Sequence, residues 1–159
     1  MKTNQITFKV TKSSDSAAQA VGIAVASEGA LAKEIGMTRE QLTALGFEGK
    51  LGQTLLLPNS KKQMTIAVGI GEAAKANADA MRTAAAALAR ASAKVASLST
   101  TLANAGRGDR TTIAQAVTEG LILATHRYDA LKNDKKATSK LTSVTLVAPG
   151  ATSAAISKG

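Results

Sequence analysis

The sequence predicts an α/β fold: a mixed, mostly parallel sheet flanked by helices on both faces. Three observations predict it. Short apolar runs of strand length recur along the chain. Two long segments in the second half carry apolar residues at helical spacing, each lying between such runs. Third, Gln63 to Arg90 (QMTIAVGIGEAAKANADAMRTAAAALAR) passes from a buried strand through glycines into an alanine-rich helix, the opening of a βα unit. Strands that alternate with helices form a sheet buried on both faces.

Ile6 to Val10 alternates, with Ile6, Phe8 and Val10 on one face of a half-buried strand. Lys12 to Ser16 is a polar turn, and Ala20 to Ala26 (AVGIAVA) a continuous apolar run that reads as a buried strand. Gly29 to Gly36 suits a short helix ending at a glycine. Thr38, with Gln41 three residues on, forms a capping box for a helix that runs to about Leu45 and stops at Gly46.

Phe47 to Gln53 (FEGKLGQ) is a glycine-punctuated loop. Thr54 to Leu57 is a strand closed by Pro58; Asn59 to Lys62 turns it back into Met64 to Val68, an antiparallel hairpin. Gly69-Ile70-Gly71 then reads as a tight turn. Asn77 or Asp79 starts the long helix, whose stripe of Met81, Ala84, Ala85, Leu88 and Ala91 should face the sheet, with Arg82 and Arg90 off it.

Lys94 to Thr100 is the next strand and Thr101 to Arg110 a connecting loop. Asp109 or Thr111 caps a second long helix to about Tyr128, with Ile113, Ala116, Val117, Gly120, Leu121 and Ala124 inward. Asp129 to Lys140 is a charged, exposed loop, and Leu141 to Val147 a final strand ended by Pro149 and Gly150. The domain therefore occupies residues 1–150, and 151–159 reads as the start of a linker.

Composition narrows the function. The 159 residues are 45% hydrophobic but only 2% aromatic, so the core is built from small aliphatic side chains that let layers approach closely. With no Cys, disulfides and thiolate metal sites are excluded, which fits the cytoplasm. The first ten residues are too polar for a signal peptide, and no run approaches the roughly 20 apolar residues of a membrane span, so no membrane partner is expected. Net charge is +9, which suits nucleic acid or merely a lysine-rich solvated surface. One Tyr and two Phe provide no stacking platform.

Each candidate site has an ordinary structural alternative. Gly69, Ile70 and Gly71 sit where a dinucleotide-binding strand–turn–helix has its phosphate turn, with Ala74 at the third glycine position. The acidic residue expected about 20 residues on is missing, so a structural βα turn explains the glycines as well. His126 is the only histidine; Asp129 is within helical reach, but a helix-end role accounts for it. Lys132, Lys135, Lys136 and Lys140 are the densest basic cluster, with Lys61 and Lys62 a second. On one face they would give salt-sensitive nucleic-acid contacts; otherwise they are a solvated loop. No nucleophile elbow and no convergent carboxylate set is present.

Three stretches resemble the N-terminal domain of the leucyl (cytosol) aminopeptidase family. Ile66 to Ala86, IAVGIGEAAKANADAMRTAAA, is similar to the family's "VGLG, spacer, LRxAAA" strand and helix. Ala114 to Lys132, AQAVTEGLILATHRYDALK, is similar to its "EGxxLAxYxFxxYK" helix. FEGKLGQ suits its "FxGKxGE" loop. His126 stands where the family often has an aromatic residue, Tyr128 where it often has Phe, and Ala130 and Leu131 replace a basic-aromatic pair. The resemblance implies a macro-domain-like fold preceding a separate catalytic domain that holds two divalent metals, Mn or Zn, and removes N-terminal amino acids from peptides. The family's metal motifs, "KGxTFDSGG" and "NTDAEGR", do not occur here, so no catalytic residue, metal ligand or cofactor is assigned to this chain, which alone is expected to be inactive. The partners implied are its own catalytic domain and a homo-hexamer, with DNA a further one because some bacterial members bind it. The macro-like fold also implies an ADP-ribose or other nucleotide pocket at Gly69 to Gly71 as an alternative.

Overall fold

The computed structural model describes residues 6–11, 17–57, 63–131 and 139–147, and for 126–131 the helix backbone alone. Among these residues six strands form one sheet: β1 (Thr7–Thr11), β2 (Ala20–Ala26), β3 (Thr54–Leu57), β4 (Met64–Gly71), β5 (Ser97–Thr100) and β6 (Ser143–Val147). Their order is β1-β6-β5-β2-β4-β3. Every neighbouring pair is parallel except β3–β4. The helices are α1 (Arg39–Ala44), α2 (Ala78–Ala91), α3 (Leu102–Ala105) and α4 (Arg110–Leu131). The α/β class, the mostly parallel mixed sheet and the β3–β4 antiparallel pair are as the sequence predicts.

Alternation along β2 builds two cores. Ala20, Ala24 and Ala26 face the layer formed by α2, α3 and α4; Val21, Ile23 and Val25 face the layer that contains α1. The first core is large and centred on Met81, Leu88, Leu98, Leu102, Ile113 and Leu121, all buried. The second is smaller and gathers Ile35, Leu42, Phe47 and Leu57. Helices therefore cover both faces, unequally.

Small side chains bring α2 and α4 together. A Cβ on Gly120 would lie 2.3 Å from the Arg82 carbonyl oxygen and 2.9 Å from the Ala85 Cβ, so only glycine permits this approach. Beside that contact Arg82 donates from Nε and Nη2 to Glu119 Oε2, at 3.0 and 2.9 Å, and Nη1 donates to Asp79 Oδ1 at 2.6 Å. The residue placed off the buried stripe thus ties the two helices at their rim.

The local punctuation follows the sequence. Thr38 Oγ1 accepts from the Gln41 N–H while Gln41 Oε1 accepts from the Thr38 N–H, completing the capping box. Asn77 Oδ1 caps α2 by accepting from the Ala80 N–H, and Asp109 Oδ2 caps α4 by accepting from the Thr112 N–H.

Several boundaries differ. Gly69-Ile70-Gly71 is not a turn but the end of β4, because a backbone ladder continues there. The Gly29 to Gly36 helix is only one 3₁₀ turn, Lys33–Ile35, closed by Gly36 in the left-handed region. The strand expected from Lys94 begins at Ser97, and the one expected from Leu141 begins at Ser143. The 101–110 connection contains α3, whose Leu102 and Ala103 are buried against the first core. Helix α4 continues through Asp129 to Leu131 instead of stopping at Tyr128. Ala91 is exposed, since the last residue of α2 reaches an open groove beside β3. The expected turns at 12–16 and 59–62, the stops at Pro58, Pro149 and Gly150, and the 151–159 linker lie outside the described residues.

Candidate functional site at the ends of the parallel strands

Open parallel sheets bind ligands beyond the carboxyl ends of their strands, which makes the ends of β2, β4 and β5 the candidate site. Here the glycine loop 47–53 closes over β4. The Gly69 N–H donates to the Gln53 carbonyl, the Gly52 N–H to the Gly69 carbonyl, and the Gly71 N–H to the Gly49 carbonyl, at 2.7, 3.0 and 2.9 Å. From the other side the Ser27 N–H donates to the Gly71 carbonyl at 2.9 Å. The N–H groups of Gly69 and Gly71, which a phosphate cradle would use, are thus engaged within the fold. Glycine is needed at 69 for a different reason. A Cβ there would lie 2.0 Å from the Lys50 carbonyl oxygen, so two backbones meet where a side chain would stand.

Glu28 locks the next layer. Its Oε2 accepts from the Ser27 hydroxyl at 2.7 Å and its Oε1 from the Ala73 N–H at 2.8 Å, joining the end of β2 to the segment after β4. Arg39 reaches back from α1 and donates to the carbonyls of Ala26 and Gly29, at 3.1 and 2.8 Å. The Ser27 hydroxyl first, then the Ala73 N–H and the Arg39 charge hold the Glu28 carboxyl below the usual carboxylate range. A carboxyl whose pKa is depressed on folding stabilises the fold above its unfolded pKa. That stabilisation is lost as pH falls through the folded value. Glu28→Gln is therefore expected to flatten the acid side of the curve of melting temperature against pH. Parallel curves for the two proteins from about pH 7 to about pH 3 would contradict the lock.

Hydroxyls perform the same service at β5. The Thr101 N–H and the Thr100 hydroxyl both donate to the Gly22 carbonyl, at 3.1 and 3.0 Å. Thr100 Oγ1 accepts from the Leu102 N–H and Thr101 Oγ1 from the Ala24 N–H, both at 3.2 Å. The short strand β5 is thus extended by side chains, and α3 follows it closely in the chain. Around the rim Lys50 pairs with Glu48 at 2.8 Å and Lys75 with Glu72 at 3.2 Å. The Lys50 ammonium is held above the usual lysine range by its bond to Glu48. Arg107 donates through its N–H to the Ala76 carbonyl at 2.7 Å, and Arg110 through Nη1 to the Asn104 carbonyl at 2.7 Å.

Chemically this edge is a set of satisfied caps. Among the described residues no buried side-chain polar atom lacks a partner, and no group of three or more His, Asp or Glu stands together. Of the lysines singled out from sequence, Lys140 is exposed and uses its N–H on the Ala93 carbonyl at 2.7 Å. Lys61, Lys62, Lys132, Lys135 and Lys136 lie outside the described residues, as do the side chains of His126 and Asp129. The Glu28 lock and the Arg82–Glu119 tie were not foreseen. Their partners lie 45 and 37 residues apart, and nothing in local sequence pairs them.

Comparison with known proteins shows the family of the chain. Residues 8–135 match the description "Cytosol aminopeptidase family, N-terminal domain". A probable cytosol aminopeptidase of Microcystis aeruginosa is 38% identical over 117 residues, which are 70% of this chain and 24% of that protein. The chain therefore spans about a quarter of that curated relative. Bottromycin maturation enzyme BotP, solved in complex with Mn, superposes with a TM-score of 0.68 at 27% identity, over 89% of this chain and 28% of that one. A mutant of tomato leucine aminopeptidase shares the fold with a TM-score of 0.72 at 14% identity, over 99% of this chain and 36% of that one. By the match over residues 8–135, this chain belongs to the cytosol aminopeptidase family and carries the N-terminal domain of that family.

Proposed function

We propose that this chain is the non-catalytic N-terminal part of a metallo-aminopeptidase, serving assembly of the enzyme and access to its active sites. The observation that carries this reading is where the family match falls: on the N-terminal domain, over residues 8–135. The strand ends, where an α/β domain would hold a ligand, are filled by Glu28, Arg39, Thr100 and Thr101 bonding to the fold itself. In this reading the parent is a cytoplasmic hydrolase and a homo-hexamer, removing N-terminal residues from peptides with two divalent metals. Both metals belong to the catalytic domain. Support for metal use comes from BotP, which was solved with Mn. Support for the compartment is the curated relative's name, and no described helix is long and apolar enough to cross a membrane.

The reading requires that this chain alone hold no tight metal. Titration of the folded chain with Mn²⁺, followed by calorimetry, is expected to show no saturable heat down to the micromolar range. A stoichiometric micromolar site would overturn the assignment of metal chemistry to the catalytic part.

A further inference from the structure

The sheet has a second surface, away from the strand ends, that the family assignment leaves without a role. Among the described residues β3 is the last strand of the sheet and pairs only with β4. In this pair Leu55 stands opposite Ala67 and Leu57 opposite Thr65, and the ladder continues where the Gly69 N–H meets the Gln53 carbonyl. Main-chain bonds alternate in an antiparallel pair. Gln53, Leu55 and Leu57 therefore direct theirs at β4, and Thr54 and Leu56 direct theirs outward. Exposed edges are usually blunted by charge, proline or bulges. Within β3 there is no charge, and Leu56 is 60% exposed.

Leu56 borders a groove of about 320 Å³ on the α2 side of the sheet. Met64, Ile66 and Val95 give it an apolar lining, and the exposed Arg90 and Lys94 stand beside it. Neither cation is ion-paired with a described residue. Arg90 lies in the last turn of α2, where a cation already complements the helix carbonyls. Lys94 is beyond the helix and has no such role.

We propose that this edge and groove dock an extended, acidic segment of a partner protein by strand addition. The segment would bond to the outward N–H and C=O groups of Thr54 and Leu56. It would place an apolar side chain in the groove beside Leu56 and set carboxylates against Arg90 and Lys94. Charge selects this occupant over a second copy of the chain. Pairing two β3 edges about a two-fold axis would bring both sets of cations to one seam, and like charges across an interface are penalised.

The test uses a fluorescein-labelled peptide of alternating leucine and glutamate, followed by anisotropy at low salt. Saturable binding is expected. It should weaken by about tenfold or more in Leu56→Lys and in the double variant Arg90→Glu, Lys94→Glu, each shown by circular dichroism to be folded. A peptide with a central proline, or with lysine in place of glutamate, should bind at least about tenfold more weakly, because one loses main-chain pairing and the other the charge match. No saturable binding, equal binding by both variants, or equal binding of all three peptides overturns the proposal. So does sedimentation of the chain as a dimer that Leu56→Lys dissociates, which would make a second copy the occupant.

Discussion

Gly69→Ala is expected to cost the domain about 3 kcal/mol, a large part of the roughly 5–15 kcal/mol that holds a domain of this size together. The backbone at Gly69 is ordinary extended strand, so the cost is one of space and not of dihedral angle. The new methyl would lie 2.0 Å from the Lys50 carbonyl oxygen and 2.8 Å from the Gly49 carbonyl carbon. Both are main-chain atoms and cannot swing aside as a flexible side chain can. The loop cannot retreat cheaply, because the Gly52 N–H donates to the Gly69 carbonyl at 3.0 Å and the Gly69 N–H donates to the Gln53 carbonyl at 2.7 Å. Moving it also pulls on Phe47, which is buried in the smaller core. Urea unfolding should show a lower midpoint at unchanged slope. Gly29→Ala is the comparison: no atom lies within 4 Å of its Cβ position, and its φ of +90° leaves only backbone strain of about 1–2 kcal/mol. A loss at Gly69 no larger than at Gly29 would mean that the loop is not clamped on β4.

Leu88→Ala is expected to lose about 3 kcal/mol, and to lose it in a way that depends on Gly22. Leu88 is fully buried on the inner face of α2 and lies directly over β2. A Cβ on Gly22 would stand 2.6 Å from its Cδ2 and 2.8 Å from its Cδ1, so the leucine occupies the space that the glycine leaves. Gly22→Ala alone should therefore destabilise by overpacking. In the Leu88→Ala background the same substitution should be close to neutral, since its methyl enters the vacated volume. The coupling read from the double-mutant cycle should be at least about 1 kcal/mol. Additive losses would show that the helix and strand are not in this register.

The sequence was most readable where one local rule decides a segment. A continuous apolar run gives β2 to the residue, because a buried strand has no polar face to blur its ends, and the short run Thr54 to Leu57 gives β3 as well. The Thr38–Gln41 capping box and the Asn77 and Asp109 caps were readable because their bonds span three residues. Distant partners were not. Gly69 looks like a turn glycine until Lys50 is seen against it, and the strand then extends to Gly71. Thr100 and Thr101 look like loop residues until β2 offers the Gly22 carbonyl. The absence of an Asp or Glu about 20 residues after the glycines was the one sequence sign against a dinucleotide turn at this edge. The resemblance to an aminopeptidase N-terminal domain came from motif wording, since no spacing of chemical groups in the chain points to peptide hydrolysis.

The most direct measurement of the central claim is hydrolysis of leucine p-nitroanilide by the purified, folded chain in excess Mn²⁺ or Zn²⁺. The rate is expected to equal that of the metal in buffer alone at every protein concentration. Turnover that rises in proportion to the chain would contradict the claim, because it would place the chemistry within residues 1–159.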